Sequence, residues 1–183
     1  MEMTGAQIIP ALQAEVWRGL NDPEILKVCI SGCESIEKLT GTEYAIVTTA
    51  AIGPVKAKFR GKLLLADLDP PNSYSLSFDG QGGAAGFAKG SAKVSLTTEA
   101  AGTRLSYTVK AQVGGKLAQI GSRLIDGVAK KLADDFFAAF NQKMAGPAAV
   151  DAVAITAETA PGAAPLWWVV GIIAAMFLLA RLS

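Results

Sequence analysis

Between Glu43 and Val113 the chain alternates apolar and polar residues with a period of two; on either side of that stretch it steps in threes and fours. In VKAKFRGKLLL, Val55, Ala57, Phe59, Gly61, Leu63 and Leu65 share one face, and Lys56, Lys58, Arg60 and Lys62 share the other. Thr103 to Val113 sets Leu105, Tyr107, Val109, Ala111 and Val113 against Arg104, Ser106, Thr108, Lys110 and Gln112. Lys89 to Thr97 sets Gly90, Ala92, Val94 and Leu96 against Lys89, Ser91, Lys93 and Ser95, and Ser73 to Asp79 sets Tyr74, Leu76 and Phe78 against serines. Each segment reads as a half-buried strand. Glu43 to Ala51 makes a fifth, with Gln7 to Ile9 and Glu34 to Leu39 as shorter candidates. One-faced alternation over so many strands predicts a curved antiparallel sheet.

Helices are predicted at the two ends of this run. Pro10 to Leu20 has Pro10 in its first turn and Leu12, Val16, Trp17 and Leu20 on one side, and Asp22-Pro23 opens a second short helix with Asp22 as its N-cap. From Lys116 to Ala145 a long helix is marked by Leu117, Ile120, Leu124, Val128, Leu132, Phe136, Phe140 and Met144, with Ile125, Ala129, Ala133 and Phe137 widening the stripe. The expected fold class is α+β: a strand, two short helices, about six strands, then one long helix that the sheet wraps.

Beyond Ala145 the texture changes. Residues 146–165, GPAAVDAVAITAETAPGAAP, are rich in Ala, Pro and Gly and read as a flexible linker whose ends lie roughly 25 Å apart as a coil. Residues 166–182 follow, beginning LWWVVGIIAAMFLLA, with no charge until Arg181. A helix from Ala163 to Leu182 would be about 30 Å long, the thickness of a bilayer's hydrocarbon core. Trp167 and Trp168 would sit at headgroup level and Arg181 would snorkel. A buried core helix would keep one polar face, which this segment lacks. The expectation is a domain over residues 1–145, a linker over 146–165 and a transmembrane anchor over 166–182. Met1 to Leu20 has neither the basic nor the apolar part of a signal peptide, so the domain is expected on the cytoplasmic side of a single-pass membrane protein.

Composition narrows the chemistry. Only Arg181 among the 17 basic residues, and Asp151 and Glu158 among the 16 acidic ones, fall after Ala145, so the domain carries a small positive excess, far from that of a nucleic-acid binder. The chain has no histidine, which removes the commonest general base and transition-metal ligand and lowers the expectation of an enzyme. Cys29 and Cys33, four apart, fit neither a C-x-x-C redox pair nor a zinc site, and read as small apolar residues in a turn beside the core. Gly80 to Gly90, GQGGAAGFAKG, nominally matches a dinucleotide fingerprint. A strand and not a helix follows it, so the pyrophosphate would meet no helix N-terminus. A glycine-rich hairpin, or a mobile loop at a cavity mouth, accounts for it better.

Two constellations remain. Lys56, Lys58, Arg60 and Lys62 form a row that would meet anionic headgroups or an acidic partner, or simply face solvent. On the inner faces, small residues (Ala57, Gly61, Ala88, Gly90, Ala92, Ala111) alternate with large ones. A curved sheet around one helix either leaves an apolar hollow there or is closed by the helix packing down. Facing alone nominates Phe59, Leu63, Tyr74, Leu76, Phe78, Phe87, Ala92 and Tyr107 for the sheet side of such a hollow. Leu117, Ile120, Leu124 and Val128 are the nominees for its helix side.

The stretches Cys29–Ser35 (CISGCES), Gly53–Gly61 (GPVKAKFRG), Asp67–Pro71 (DLDPP), Gly82–Gly90 (GGAAGFAKG) and Val113–Ile125 (VGGKLAQIGSRLI) resemble the carbon monoxide dehydrogenase G-subunit family, a branch of the START-like (SRPBCC) helix-grip superfamily. The resemblance covers Met1 to about Met144. It departs at Ser31, where the family usually has proline, and only some members share the apolar tail. It implies a sheet gripping a long helix with a lipophilic pocket between them. It also implies service to molybdenum-containing aerobic CO dehydrogenase or a related hydrogenase, as a membrane tether or as a quinone carrier. Menaquinone or ubiquinone would be a carried ligand, with no covalent cofactor, no catalytic residue and no metal. The residues themselves name no quinone; they support an apolar hollow beside a membrane anchor. Two rivals stand beside the carrier: a pure docking factor that binds the dehydrogenase through the basic row, and a START-like cyclase or lipid hydrolase. The enzyme would have Tyr74 and Tyr107 as its only inward polar groups.

Overall fold

The computed structural model describes residues 1–145; the expected linker and the expected spanning segment lie outside the described residues. Within them, β1 (Glu2–Ile9) is followed by α1 (Gln13–Leu20) and α2 (Pro23–Cys29). The strands β2 (Cys33–Lys38), β3 (Glu43–Ile52), β4 (Val55–Asp69), β5 (Ser73–Gln81), β6 (Phe87–Glu99) and β7 (Gly102–Gly114) come next, and α3 (Lys116–Gln119) and α4 (Ser122–Met144) close the domain. All seven strands form one antiparallel sheet in the order β1-β7-β6-β5-β4-β3-β2. Strands β2 to β7 are a meander, and α1 and α2 carry the chain from one sheet edge to the other.

The alternation in sequence becomes alternation in space. Along β4, Lys56, Lys58, Arg60 and Lys62 are exposed, while Val55, Ala57, Phe59, Gly61, Leu63 and Leu65 between them are half-buried. The glycine-rich stretch is a hairpin between β5 and β6, closed by a single 3-10 turn at Gly83–Ala85. Gly90 shows why a side chain is absent from the strand's inner face: a methyl group there would run into the Lys110 carbonyl of β7 and lie 2.9 Å from the Phe78 ring. The first strand is longer than alternation predicts, because Glu2 to Ile9 pairs in continuous register with Lys110 to Thr103.

Both short helices form, with different starts. The Asp22 carboxylate caps α2 by accepting from the Glu24 N–H at 2.9 Å. Pro10 stays outside α1, which begins at Gln13 after Leu12; Glu15 reaches back to the Leu12 N–H at 3.4 Å. Two polar pins hold α1 to the sheet. Thr103, fully buried, donates to the Ala11 carbonyl at 2.8 Å, and Gln13 bonds the carbonyls of Pro71 and Leu96 and the hydroxyl of Thr98.

The expected single helix over Lys116–Ala145 is two. Gly121, at φ +96°, has a backbone that L side chains rarely adopt, and it separates the one-turn α3 from the 23-residue α4. Within α4 the expected stripe, stepped by fours, drifts around the helix by about 40° per step, so its two ends face different ways. Leu124 and Leu132, on the expected stripe, are exposed, whereas Phe137 and Phe140 are buried in the core with Ile9, Val16, Leu20, Cys29, Leu96 and Leu105. That core lies where the C-terminal half of α4 meets α1, α2 and the β5-β6-β7-β1 side of the sheet. Among the described residues no helix is long and apolar enough to cross a membrane.

Candidate functional site

The inner face of the sheet is incompletely covered, and two apolar chambers open between it and the helices, the first of them bordered by Leu105 and Phe137 of that core. The first, of about 270 Å³, is floored by Leu63 and Leu65 of β4, Tyr74 and Leu76 of β5, and Ala92 and Val94 of β6. Leu105, Tyr107 and Val109 of β7 continue the floor, and Ala133, Phe136 and Phe137 of α4 form its roof. Leu26 and Ile30 close it on the α2 side. The second, of about 260 Å³, lies nearer the β3–β4 hairpin between Ile46, Ala50, Phe59, Phe78, Ala88 and Val113 on the sheet and Leu117 and Ile125 on the helices. Leu63 lines both chambers. Ligand pockets for drug-sized molecules run from about 300 to 1,000 Å³, so either chamber alone is small and the pair together is ample.

Small side chains create this space. Ala92, 8% exposed, faces the first chamber, and Gly61 and Ala88 face the second. The aromatic roof is stiff: Phe137 stacks on Tyr107 with ring centroids 5.3 Å apart, and Phe136 stacks on Phe140 at 5.6 Å. No charged side chain lines the first chamber, and its side-chain oxygens are those of three tyrosines. Tyr44 donates to the Asn21 carbonyl at 3.2 Å. Tyr74, 6% exposed, meets Trp17 of α1 edge-on at 5.5 Å. Burial pushes the Tyr74 phenol up, and Tyr44 beside it adds to the shift.

Of the residues nominated for the hollow, Leu63, Tyr74, Leu76, Ala92 and Tyr107 come together around the first chamber, and Phe59, Leu63, Phe78 and Leu117 around the second. Four do not join them. Phe87 shares the parity of Lys89, whose ammonium lies 5.6 Å from the Phe87 ring, and neither residue lines a chamber. Ile120 and Leu124 instead meet the β3–β4 turn, where a methyl on Gly53 would lie 2.8 Å from Leu124 and 3.8 Å from Ile120. Leu124 is 44% exposed, and Val128 lies outside both chambers. For Leu124 and Val128 the cause is the drift of a four-residue step, about 40° per repeat, around the unbroken α4, which leaves the roof to Ile125, Ala133, Phe136 and Phe137. All four are legible in the sequence as the flank of the stripe or its far end. Tyr44 is not among the nominees although it shares the parity of Ile46 on β3 and pairs with Leu63, whereas Leu26 and Ile30 carry no such signal, because only the crossing of α2 over the sheet brings them in.

The basic row is exposed as alternation requires, and half of it is already paired. Lys58 bridges Glu34 at 2.7 Å and Lys62 bridges Glu43 at 2.8 Å. The bond from Lys58, helped by one from Thr49, holds the Glu34 carboxyl below its ordinary range. Among the described residues Lys56 and Arg60 have no ion-pair partner. The two thiols are free; Cys29 is buried in the core and Cys33 half-buried, and burial pushes both up.

A sheet holding a helix across an apolar cavity defines the class, a helix-grip domain built around a lipophilic hollow. The chain belongs to the CoxG family, the G-subunit family of carbon monoxide dehydrogenase, whose model matches residues 5–145. A conserved protein of Geobacillus kaustophilus is similar at 37% identity and a TM-score of 0.74, over 79% of this chain and 95% of that one. Two others share the fold alone. A Thermus thermophilus protein is 17% identical with a TM-score of 0.62 over 81% and 99% of the two chains, and a Mycobacterium smegmatis protein is 16% identical with a TM-score of 0.57 over 87% and 93%. No curated protein sequence matches the chain.

Proposed function

We propose that this protein carries an uncharged lipophilic molecule, a quinone of the menaquinone or ubiquinone type, for an aerobic CO dehydrogenase or a related oxidoreductase. In this reading residues 166–182 anchor it, and its domain works at the cytoplasmic face of the membrane. The observation that carries the reading is the first chamber, apolar on nearly every side and free of charged side chains. Such a lining favours transfer of an apolar tail out of water by about 25 cal/mol per Å² of surface buried, and it offers no site for an ion. A quinone tail is insoluble in water and the redox centre of a soluble enzyme lies away from the bilayer, so a shuttling pocket lowers the cost of bridging the gap. Membership in a family described as part of a dehydrogenase supplies the partner class.

Native mass spectrometry with organic extraction tests this on the full chain purified from a quinone-producing host. A co-purifying quinone, lost in Ala92→Phe, is the expected result. A clean apo mass that persists after incubation with menaquinone would sink the carrier.

A second reading, docking through the outer face of β4, draws on exposed Lys56 and Arg60, which have no ion-pair partner among the described residues. Lys58 and Lys62 are committed to Glu34 and Glu43, so the free charge amounts to two cations on one strand. The two roles are compatible: the inner face would hold the cargo while the outer face meets the enzyme or anionic headgroups.

A further inference from the structure

The first chamber offers a ligand little to hydrogen-bond with, and that little is unevenly committed. Tyr44 has already given its proton to the Asn21 carbonyl. Tyr107 lies at the chamber's margin, half-buried, and also lines a groove on the outside of the domain beside β1. Its hydroxyl makes no hydrogen bond among the described residues and lies beside Gly5 of β1, whereas Tyr74, which also borders a polar groove with Asp67, Ser75 and Lys93, is the more deeply buried of the two. It is more than nine-tenths buried, and its ring points to the helix side of the sheet, where it meets Trp17. Among the described residues its hydroxyl makes no hydrogen bond. The oxygen is not sealed in: among the described residues Asn141 Oδ1 is the fully buried side-chain polar atom without a partner, so the Tyr74 phenol is left reachable by whatever occupies the space beside it. The space beside it is the chamber.

We propose that the Tyr74 hydroxyl selects the cargo, donating a hydrogen bond to an uncharged oxygen acceptor such as a ring carbonyl. The inference rests on the carrier reading and adds a chemical criterion to it. A plain hydrocarbon fits the walls but leaves the donor unpaired. A fatty acid brings a carboxylate into a chamber whose lining holds no cation to receive it. A neutral lipophile with a carbonyl at one end satisfies both the walls and the phenol. The raised Tyr74 pKa agrees with this role, since the group keeps its proton and stays a donor at any physiological pH.

The test uses the full chain in mild detergent with three probes bearing comparable apolar bodies. These are 2-methyl-1,4-naphthoquinone with a short isoprenoid tail, the matching naphthalene without ring oxygens, and palmitate. Wild type is expected to bind the quinone on the order of tenfold more tightly than the naphthalene, the worth of one buried neutral hydrogen bond. Tyr74→Phe, which removes one oxygen and keeps the ring on Trp17, is expected to bring that ratio to about one. Infrared difference spectra of the quinone labelled at its carbonyls provide a second readout that needs no variant: one carbonyl band is expected at lower frequency in the wild-type complex than in hydrocarbon solvent. A preference that survives Tyr74→Phe, an unshifted carbonyl band, or tightest binding of palmitate would each overturn the role of Tyr74 and leave the chamber a carrier of another cargo. Failure of all three probes to bind wild type would overturn the carrier reading and this inference with it.

Discussion

Ala92 and Phe140 show two opposite uses of side-chain volume. Phe140 is fully buried where α4 meets α1 and the sheet, and Phe140→Ala is expected to cost about 3–5 kcal/mol, read as a lower urea midpoint. Ala92 is almost as buried, yet it borders empty space. Ala92→Phe is therefore expected to change stability by less than the ~1–3 kcal/mol typical of overpacking, because the added ring has a chamber to enter. The same substitution is expected to abolish uptake of a lipophile, measured by extraction from the purified chain. A variant that unfolds instead would mean that the chamber is closed in solution.

At the scale of elements, Gly121 separates the one-turn α3 from α4, whose one face covers the hollow. Gly121 has open space around its Cβ position, so Gly121→Ala reports backbone strain alone and is expected to cost about 1–3 kcal/mol in denaturant unfolding. Gly90→Ala, by contrast, pits a methyl against the backbone of β7 and the Phe78 ring, and its cost is one of packing within the sheet. The start of α2 is a simpler case. Removing the cap with Asp22→Ala frees the Glu24 N–H and is expected to lose about 1 kcal/mol without touching either chamber. Loss of ligand binding in that variant at full folding would place α2 in the site more directly than Leu26 and Ile30 do.

For the whole molecule, the inner and outer faces of the sheet are expected to be separable. Lys56→Glu with Arg60→Glu reverses the two cations that lack ion pairs among the described residues, and Lys58 and Lys62 stay bridged. This double variant is expected to keep its lipophile and to lose salt-sensitive binding to the dehydrogenase or to anionic vesicles, read by co-sedimentation across ionic strengths. Binding that is unchanged and indifferent to salt would remove the outer face from the function.

What the chain determines without its tertiary structure is whatever follows from local periodicity. Every strand from β3 to β7, the Asp22 cap and the outward row of Lys56, Lys58, Arg60 and Lys62 follow from side chains alternating about an extended backbone or from the residues next to a helix start, constraints that act between neighbours in sequence. The same parity puts Leu63, Tyr74, Leu76 and Ala92 on the chamber side. Phe87 stands just after the hairpin turn, on the parity of Lys89, so its hydrophobicity is a poor guide to its face. Ile120 follows α3 as its C-cap, just before Gly121, and Leu124 and Val128 lie on a stripe whose four-residue step turns about 40° per repeat, so that it leaves the covered face of α4. Only the fold could decide that Leu26 and Ile30 close the first chamber, or that the Tyr44 hydroxyl is spent on Asn21 while that of Tyr74 is not. Those facts depend on how α2 crosses the sheet and on which groups remain unpaired after packing, and no periodicity in the chain encodes either.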